Sequence, residues 1–306
     1  MKNSKLDLDL LKKIIRMDQL SLYDFLHKEL SKSYTSIDTD EKDKRYLFCV
    51  GELPIMLVAH LDTVFEQYAS LSKGYSMWDD YLKQVDVSNK PIYHDREEEV
   101  MWSPEGLGAD DRVGVFMILS MIRQGLRPSV LFTTDEESGS TSGRAFAKRY
   151  KESFYKYGVK YLLELDRSGH NDCVFYRCEN DAFKSYIEKF GFETALGSFT
   201  DISVLCPILG VAGVNLSVGY FNEHSISEMI DLFTMSKNYD IIYYMVKESI
   251  KIKEPYIYVA QHDIALTLLQ EVLSCSICNS NMVDYVYVED FGKICLECFS
   301  ELYQEI

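Results

Sequence analysis

Apolar residues recur every three or four positions from Leu6 to Leu30 and then fall into short runs along the rest of the chain. The first pattern predicts two helices, with a break near Asp18 and with Ser21 as the cap of the second helix. The short runs are bounded by polar residues and glycines, which is typical of buried strands. Helical patterns separate most of these runs, so the sequence predicts an α/β domain. The predicted strands are Tyr46–Val50, Pro54–Ala59, Pro128–Thr134, Tyr161–Leu165 and Gly213–Val218.

Two further segments complete this pattern. The less regular stretch 65–104 contains a predicted strand at Pro91–Tyr93 and an acidic tip at Glu97–Glu99. We interpret this stretch as an excursion from the sheet that forms a hairpin and returns at Gly106. The last long helical pattern of the domain covers Glu228–Lys251.

The composition is that of a globular protein with a strong negative charge. Hydrophobic residues make up 47% of the 306 residues and charged residues 26%, which suits one large domain and a small one. The formal net charge of −16 argues against nucleic acid or an anionic membrane as a partner. The polar N-terminus does not resemble a signal peptide, and no apolar run approaches the roughly 20 residues that span a bilayer. We therefore expect a cytoplasmic location.

Side chains that commonly bind metals follow the predicted strands. They are two histidines and three carboxylates, namely His60, Asp110, Glu137, Asp166 and His224. Any one of them alone is compatible with a helix cap, a solvated acidic loop or a hydrogen-bonded histidine. Sites in α/β sheets gather at the carboxyl ends of strands, and nitrogen and carboxylate ligands suit zinc. Taken together, the five residues predict two zinc ions that share one aspartate.

The order of these residues resembles that of the co-catalytic di-zinc exopeptidases. This superfamily includes leucine-type aminopeptidases, peptidase T and carboxypeptidase G-type enzymes, and its order is His-x-Asp, Asp, Glu-Glu, Asp and a late His. The resemblance covers about Leu10–Ile250 and implies a mixed, mostly parallel sheet flanked by helices, together with metallopeptidase activity. The corresponding stretches here are His60-Leu61-Asp62, Gly108-Ala109-Asp110-Asp111, Asp135-Glu136-Glu137-Ser138-Gly139, Glu164-Leu165-Asp166 and His224.

The resemblance also implies a role for each metal-binding residue. His60 and Asp166 would bind one zinc ion, Glu137 and His224 would bind the other, and Asp110 would bridge the two. Cobalt or manganese is an alternative metal at this site.

Three expectations about neighbouring residues follow from the same resemblance. Asp62 would accept a hydrogen bond from His60 and orient it. Glu136 would act as the general base, taking a proton from a metal-bridging water and passing it to the leaving amine. The peptide bond between Asp110 and Asp111 would be cis, as is typical of the family.

The chain departs from peptidase T and the carboxypeptidase types in one respect. Those enzymes insert a lid domain between the fourth ligand and the last His, whereas Asp166 and His224 are only 58 positions apart here. This segment is too short for an added domain, so we expect a catalytic domain without a lid and an aminopeptidase-like layout. An acidic site also favours a substrate with a free ammonium group.

Four cysteines near the C-terminus form two Cys-x-x-Cys pairs about 16 residues apart. With a predicted strand at Tyr285–Val288 between the pairs, they match a structural four-Cys zinc ribbon. A closed set of four thiolates predicts a role in folding rather than catalysis. We therefore divide the chain into a peptidase domain, 1–253, and a segment with a helix and the ribbon, 254–306, whose acidic surroundings favour protein docking or self-association. The four cysteines are Cys275, Cys278, Cys295 and Cys298.

Three functions remain open from the sequence. The first is a zinc-dependent, aminopeptidase-like hydrolase of short peptides. The second is a di-zinc deacylase or dipeptidase that acts on acyl-amino compounds. It differs from the first in that it would accept substrates with blocked amino groups. The third is a non-catalytic, zinc-stabilised protein-binding module, against which the presence of Glu136 and all five metal-binding residues argues.

Overall fold

The computed structural model describes residues 6–40, 45–65, 89–261, 285–288 and 292–295. The chain divides into two compact units, residues 1–259 and residues 260–306. In these described ranges, no helix is both long enough and apolar enough to cross a membrane.

The first unit is built around an eight-stranded sheet with the strand order β1-β2-β6-β3-β7-β10-β8-β9. The pairs β6–β3, β3–β7, β7–β10 and β8–β9 are parallel, and the other three neighbours are antiparallel. This mixed, mostly parallel sheet confirms the predicted fold class. The strands of this unit are β1 Asp38–Thr39, β2 Tyr46–Cys49, β3 Leu53–His60, β4 Tyr93–Asp95, β5 Val100–Trp102, β6 Pro128–Thr133, β7 Leu162–Arg167, β8 Asp172–Val174, β9 Glu193–Thr194, β10 Gly213–Ser217, β11 Tyr220–Phe221 and β12 Met229–Asp231.

Helices cover both faces of this sheet. They are α1 Leu8–Ile15, α2 Gln19–Leu30, α3 Ala109–Arg123, α4 Thr141–Tyr150, α5 Asp181–Glu188, α6 Asp201–Leu209 and α7 Leu232–Glu248, with 3₁₀ turns at Phe154–Tyr157 and Ser249–Lys251. Successive residues of β3 alternate between two cores, because side chains of a strand point to opposite faces. Leu57 and Ala59 join the core under α1, α3 and α7, whereas Met56 and Val58 join the core under α4 and α6.

The excursion predicted between the sheet elements forms a hairpin, as expected. Strands β4 and β5 pair antiparallel, and the acidic tip lies in the turn between them, where Asp95 Oδ1 accepts the N–H groups of Glu97 and Glu98 at 2.9 and 3.1 Å. With β11 and β12 these strands form a second sheet in the order β11-β12-β5-β4.

Two predicted helix starts are wrong by a few residues. The cap of α2 is Asp18 rather than Ser21, since the Asp18 carboxylate accepts the N–H of Ser21 at 2.7 Å. The last helix begins at Leu232 rather than Glu228, because Met229–Asp231 pairs as β12 with β5 and β11.

The segment between Asp166 and His224, which the structure describes throughout, contains no lid domain, as predicted. The elements between Asp166 and His224 are β8, α5, β9, α6, β10 and β11. Strands β8, β9 and β10 belong to the central sheet, so this segment completes the core domain.

The segment just after α7 also belongs structurally to the first unit. The Ala212 N–H donates to the Tyr256 carbonyl at 2.8 Å, and Val211 forms an isolated bridge with Ile257.

In the second unit, β13 (Tyr285–Val288) is a strand, as predicted, and pairs antiparallel with β14 (Gly292–Cys295). Cys275, Cys278, Cys298 and the predicted helix at 265–273 lie outside the described residues.

Gly114 fixes the distance between α3 and β7. A Cβ atom at this position would collide with the Leu165 carbonyl oxygen and with the Asp111 carboxylate. The absence of a side chain therefore lets the helix that carries Asp110 approach the strand that carries Asp166.

We expect Gly114→Ala to lower the free energy of unfolding by about 1–3 kcal/mol, because the added methyl group overpacks this contact. Urea unfolding followed by circular dichroism measures the change. Ser120→Ala on the same buried helix adds no atoms and serves as the control. Equal unfolding midpoints for Gly114→Ala and the wild type would contradict the close approach.

Candidate active site

All five residues predicted to bind metal converge at one end of the central sheet. His60 is the last residue of β3, and Asp166 lies near the end of β7. Glu137 follows β6, Asp110 lies at the start of α3, and His224 follows β11. The four of them other than His60 line one cavity of about 140 Å³.

The two carboxylate oxygens of Asp110 face two separate groups of side chains. Asp110 Oδ1 lies 2.9 Å from His60 Nε2, which is 3.4 Å from Asp166 Oδ1. Asp110 Oδ2 lies 3.2 Å from His224 Nε2, which is 3.1 Å from Glu137 Oε1. Each group therefore consists of one imidazole nitrogen and one further carboxylate beside a shared aspartate.

The spacing of these donor atoms is close to that of zinc ligands. Ligands at roughly 2.0–2.2 Å from a tetrahedral zinc ion are roughly 3.3–3.6 Å apart, and the donor atoms here, at 2.9–3.4 Å, lie at that spacing or a few tenths of an ångström below it. The Asp111 carboxylate also lies near His60 and Asp166, but it accepts the N–H groups of Gly114 and His60 at 3.0 and 3.3 Å. Asp110 is therefore the better candidate for the shared ligand.

Electrostatics around the cluster also favour cations. Burial, followed by the Asp110 carboxylate, raises the pKa of Asp166 to about 7. Hydrogen bonds to Asp110 and Glu137 raise the pKa of His224 to about 11. Burial alone would lower the pKa of His60, but Asp166 and the other surrounding carboxylates raise it well above its usual value. The cluster thus holds protons strongly because negative charge is in excess, and divalent cations would relieve that excess.

Asp62 connects the histidine with the Glu136-Glu137 pair. Its Oδ1 lies 3.3 Å from His60 Nδ1, and its backbone carbonyl oxygen lies 3.1 Å from the same nitrogen. The same carboxylate accepts the N–H of Glu136 at 3.1 Å and the N–H of Glu137 at 3.0 Å. The sequence did not predict this second contact, which links β3 to the loop after β6. Asp62 thereby fixes His60 and the Glu136-Glu137 backbone relative to each other.

Glu228 holds the backbone that carries Asp110. Only 1% of the Glu228 residue surface is exposed, and its carboxylate accepts the N–H groups of Gly108, Ala109 and Asp110, the last two at 3.0 and 3.3 Å. The sequence placed Glu228 at a helix start and gave it no site role. The Asp110–Asp111 peptide bond in this loop is cis, as the resemblance implied.

Two further side chains position Asp166. Thr200 Oγ1 donates to Asp166 Oδ2 at 3.0 Å, and the Tyr220 hydroxyl donates to Asp166 Oδ1 at 3.2 Å. Thr200 is the N-cap residue of α6, and no pattern in the sequence indicated its bond to the site. Tyr220 lies in β11 and carried no sequence signal of a site role.

His170 and the four cysteines of the first unit lie away from the cavity. The His170 ring contacts Phe221 and Thr234, with Nδ1 3.2 Å from Thr234 Oγ1, so it packs against the start of α7. The four scattered cysteines are buried and unpaired: Cys49, Cys173, Cys178 and Cys206. The ribbon cysteines remain a prediction.

Known structures share this fold at low sequence identity. An aminopeptidase PepT from Bacillus cereus ATCC 10987 is 14% identical, with a TM-score of 0.55 over 79% of this chain and 97% of that one. A tripeptidase from Staphylococcus aureus is 13% identical, with a TM-score of 0.56 over 80% of this chain and 98% of that one. A TET aminopeptidase from a marine sediment archaeon of the Thaumarchaeota is 12% identical, with a TM-score of 0.57 over 80% and 98%.

Sequence comparison alone does not detect this relationship. No protein-family model matches the chain, and no curated protein matches it. The structural likeness shows that the first unit shares the fold of these three peptidases.

We expect Asp62→Asn to weaken metal binding by about 10- to 100-fold, which is typical when the partner of a metal-binding histidine is lost. Asparagine keeps the shape of Asp62 but loses its negative charge and one of the two oxygens that accept the Glu136 and Glu137 N–H groups. Competition with a zinc-selective fluorescent chelator measures the affinity.

Asp95→Asn in the exposed hairpin turn is the matched control and should leave the affinity unchanged. Zinc affinity of Asp62→Asn equal to that of the wild type would show that the Asp62 contacts do not organise the site.

Proposed function

We propose that this protein is a zinc-dependent aminopeptidase that removes residues from the free amino end of short peptides. The observation that carries the proposal is the position of Asp110 between two imidazole–carboxylate pairs. His60 and Asp166 would hold one zinc ion, and Glu137 and His224 the other. Bound zinc ions would lower the pKa of a water molecule and polarise the scissile carbonyl.

Glu136 is the proposed general base. It lines the cavity and is 8% exposed, and none of the described histidines pairs with its carboxylate. Burial raises its pKa to about 9, although His60 opposes this shift. Divalent cations at the neighbouring donors would lower this pKa and favour the carboxylate form, which could then take a proton from water and deliver it to the leaving amine.

Two features favour an aminopeptidase over the alternatives. The segment between Asp166 and His224 contains no lid domain that would supply a binding site for a substrate carboxylate. Acidic residues outnumber basic ones five to two among the twelve residues that line the cavity, and this excess of negative charge attracts an ammonium group. A deacylase would cleave substrates with blocked amino groups as well as free ones, so paired free and N-acetylated peptides distinguish the two activities.

We further propose that residues 1–253 form the catalytic domain and that the four cysteines of residues 254–306 bind a third, structural zinc ion. The hairpin of β13 and β14 is consistent with a ribbon, since Cys295 ends its second strand. Docking of a protein partner or self-association through the ribbon is the proposed role of this segment, and the excess of acidic residues around it argues against nucleic acid.

We expect Glu136→Gln to lower kcat by about 10²- to 10⁴-fold, because glutamine cannot accept the proton. Metal content should remain that of the wild type, because Glu136 is not a proposed metal ligand. A panel of short peptides with free amino ends, analysed by mass spectrometry, measures turnover.

The matched variant Glu137→Gln replaces the adjacent proposed ligand and should lose metal as well as activity. Undiminished hydrolysis by Glu136→Gln would remove Glu136 from the mechanism. Absence of hydrolysis in the zinc-loaded wild type across free and blocked substrates would favour the protein-binding module.

Replacing Cys275 and Cys278 together by serine should remove one zinc ion per chain and leave peptide hydrolysis largely intact. The reason is that a closed thiolate site contributes to folding of its own segment and not to catalysis in the first unit. Elemental analysis of the purified variant measures the loss. Replacing Cys173 and Cys178, which are buried in the first unit, provides the control for cysteine number and should not change zinc content.

A further inference from the structure

The cavity wall carries one carboxylate, Glu223, that the proposed mechanism does not use. Glu223 immediately precedes His224 and lines the same cavity as Asp110 and Glu137. Its Oε1 accepts the hydroxyl of Ser168 at 2.8 Å. The Ser168 carbonyl in turn accepts the hydroxyl of Ser217, in the central sheet, at 2.8 Å, so this carboxylate is tied to a rigid part of the fold.

No positively charged side chain among the described residues neutralises the charge of Glu223. Arg167 is the guanidinium on this wall, but its contacts go to other residues: its Nη2 donates to the Leu196 carbonyl at 3.3 Å and lies 3.5 Å from the Asp172 carboxylate. The bonded partner of Glu223 is a neutral hydroxyl, and no ion pair of Glu223 occurs within the described ranges. A half-buried carboxylate with one neutral partner favours a cationic ligand, because charge-assisted hydrogen bonds are the stronger ones.

The geometry of a peptide places its amino group next to the metal donors. In a peptide cleaved after its first residue, a single Cα separates the ammonium nitrogen from the scissile carbonyl carbon, so the two atoms are about 2.5 Å apart. A group that recognises this ammonium must therefore border the metal site directly. Glu223 does so, because the next residue is His224, whose Nε2 lies 3.2 Å from Asp110 Oδ2.

We propose that Glu223 selects substrates with a free α-ammonium group. Its Oε2, which the Ser168 hydroxyl leaves available, accepts a charge-assisted hydrogen bond from that ammonium. Ser168 is a positioning residue that aims the carboxylate into the cavity. This assignment rests on the proposed function for the identity of the substrate, but the binding step itself requires no turnover.

Binding without hydrolysis tests the assignment. The full-length, zinc-supplemented protein with Glu136→Gln is titrated by calorimetry with leucinamide and with N-acetyl-leucinamide, which differ in the ammonium group. We expect leucinamide to bind more tightly. Adding Glu223→Gln should weaken leucinamide binding by at least about tenfold, as expected for the loss of a hydrogen bond to a charged group, and leave the binding of N-acetyl-leucinamide unchanged.

Two further variants test whether the loss of leucinamide affinity is specific to the Glu223 contact. Ser168→Ala should reduce the preference for leucinamide by a smaller factor, and it carries the test if circular dichroism shows that Glu223→Gln does not fold. Glu152→Gln removes the same charge from an exposed position outside the cavity and should leave both affinities unchanged.

The outcomes separate this assignment from the proposed function. A preference for leucinamide that survives Glu223→Gln, or an equal loss of affinity for both ligands, would overturn the role of Glu223. A wild-type protein that binds leucinamide through Glu223 but cleaves no peptide would support the ammonium site and refute the proposed hydrolysis.

Discussion

The shared position of Asp110 is the constraint on which the rest of the first unit depends. One carboxylate must present its two oxygens to two separate imidazole–carboxylate pairs, and an error of about 1 Å would break one of the pairs. Glu228 binds the three backbone N–H groups that lead into Asp110. Gly114 lets α3 approach β7 closely, so the helix that carries Asp110 and the strand that carries Asp166 are held next to each other.

This arrangement concentrates negative charge in a buried place. Desolvation penalises each buried carboxylate, and the raised pKa values of Asp166 and Glu136 are the consequence. Two divalent cations would remove that penalty, so metal binding and the stability of the native state should be linked. Neighbouring hydroxyls and amides, such as Thr200 on Asp166, hold the ligands in place but cannot neutralise them. The same excess of charge explains why an unneutralised Glu223 suits a cationic substrate group.

The sequence predicted the fold class and the convergence of the five proposed metal-binding residues, because both depend on strand ends. Side chains that follow parallel strands meet at one edge of the sheet, so the order of His60, Asp166 and the others along the chain was sufficient. The contacts of Glu228 with residues 108–110, and of Asp62 with Glu136, join segments more than 70 positions apart. Such pairs have no local pattern, and only the folded chain reveals them. The start of α7 was misplaced for a related reason, since pairing of β12 with β5 outweighs the local helical pattern.

Crystals of the zinc-supplemented protein, measured at the zinc absorption edge, would test the central claim most directly. Anomalous scattering locates each ion independently of any assumption about its ligands. Two peaks about 3.5–4 Å apart, one beside His60 and Asp166 and the other beside Glu137 and His224, with the Asp110 carboxylate between them, are the predicted result. A single peak, or two peaks that do not both contact Asp110, would contradict the two-metal site.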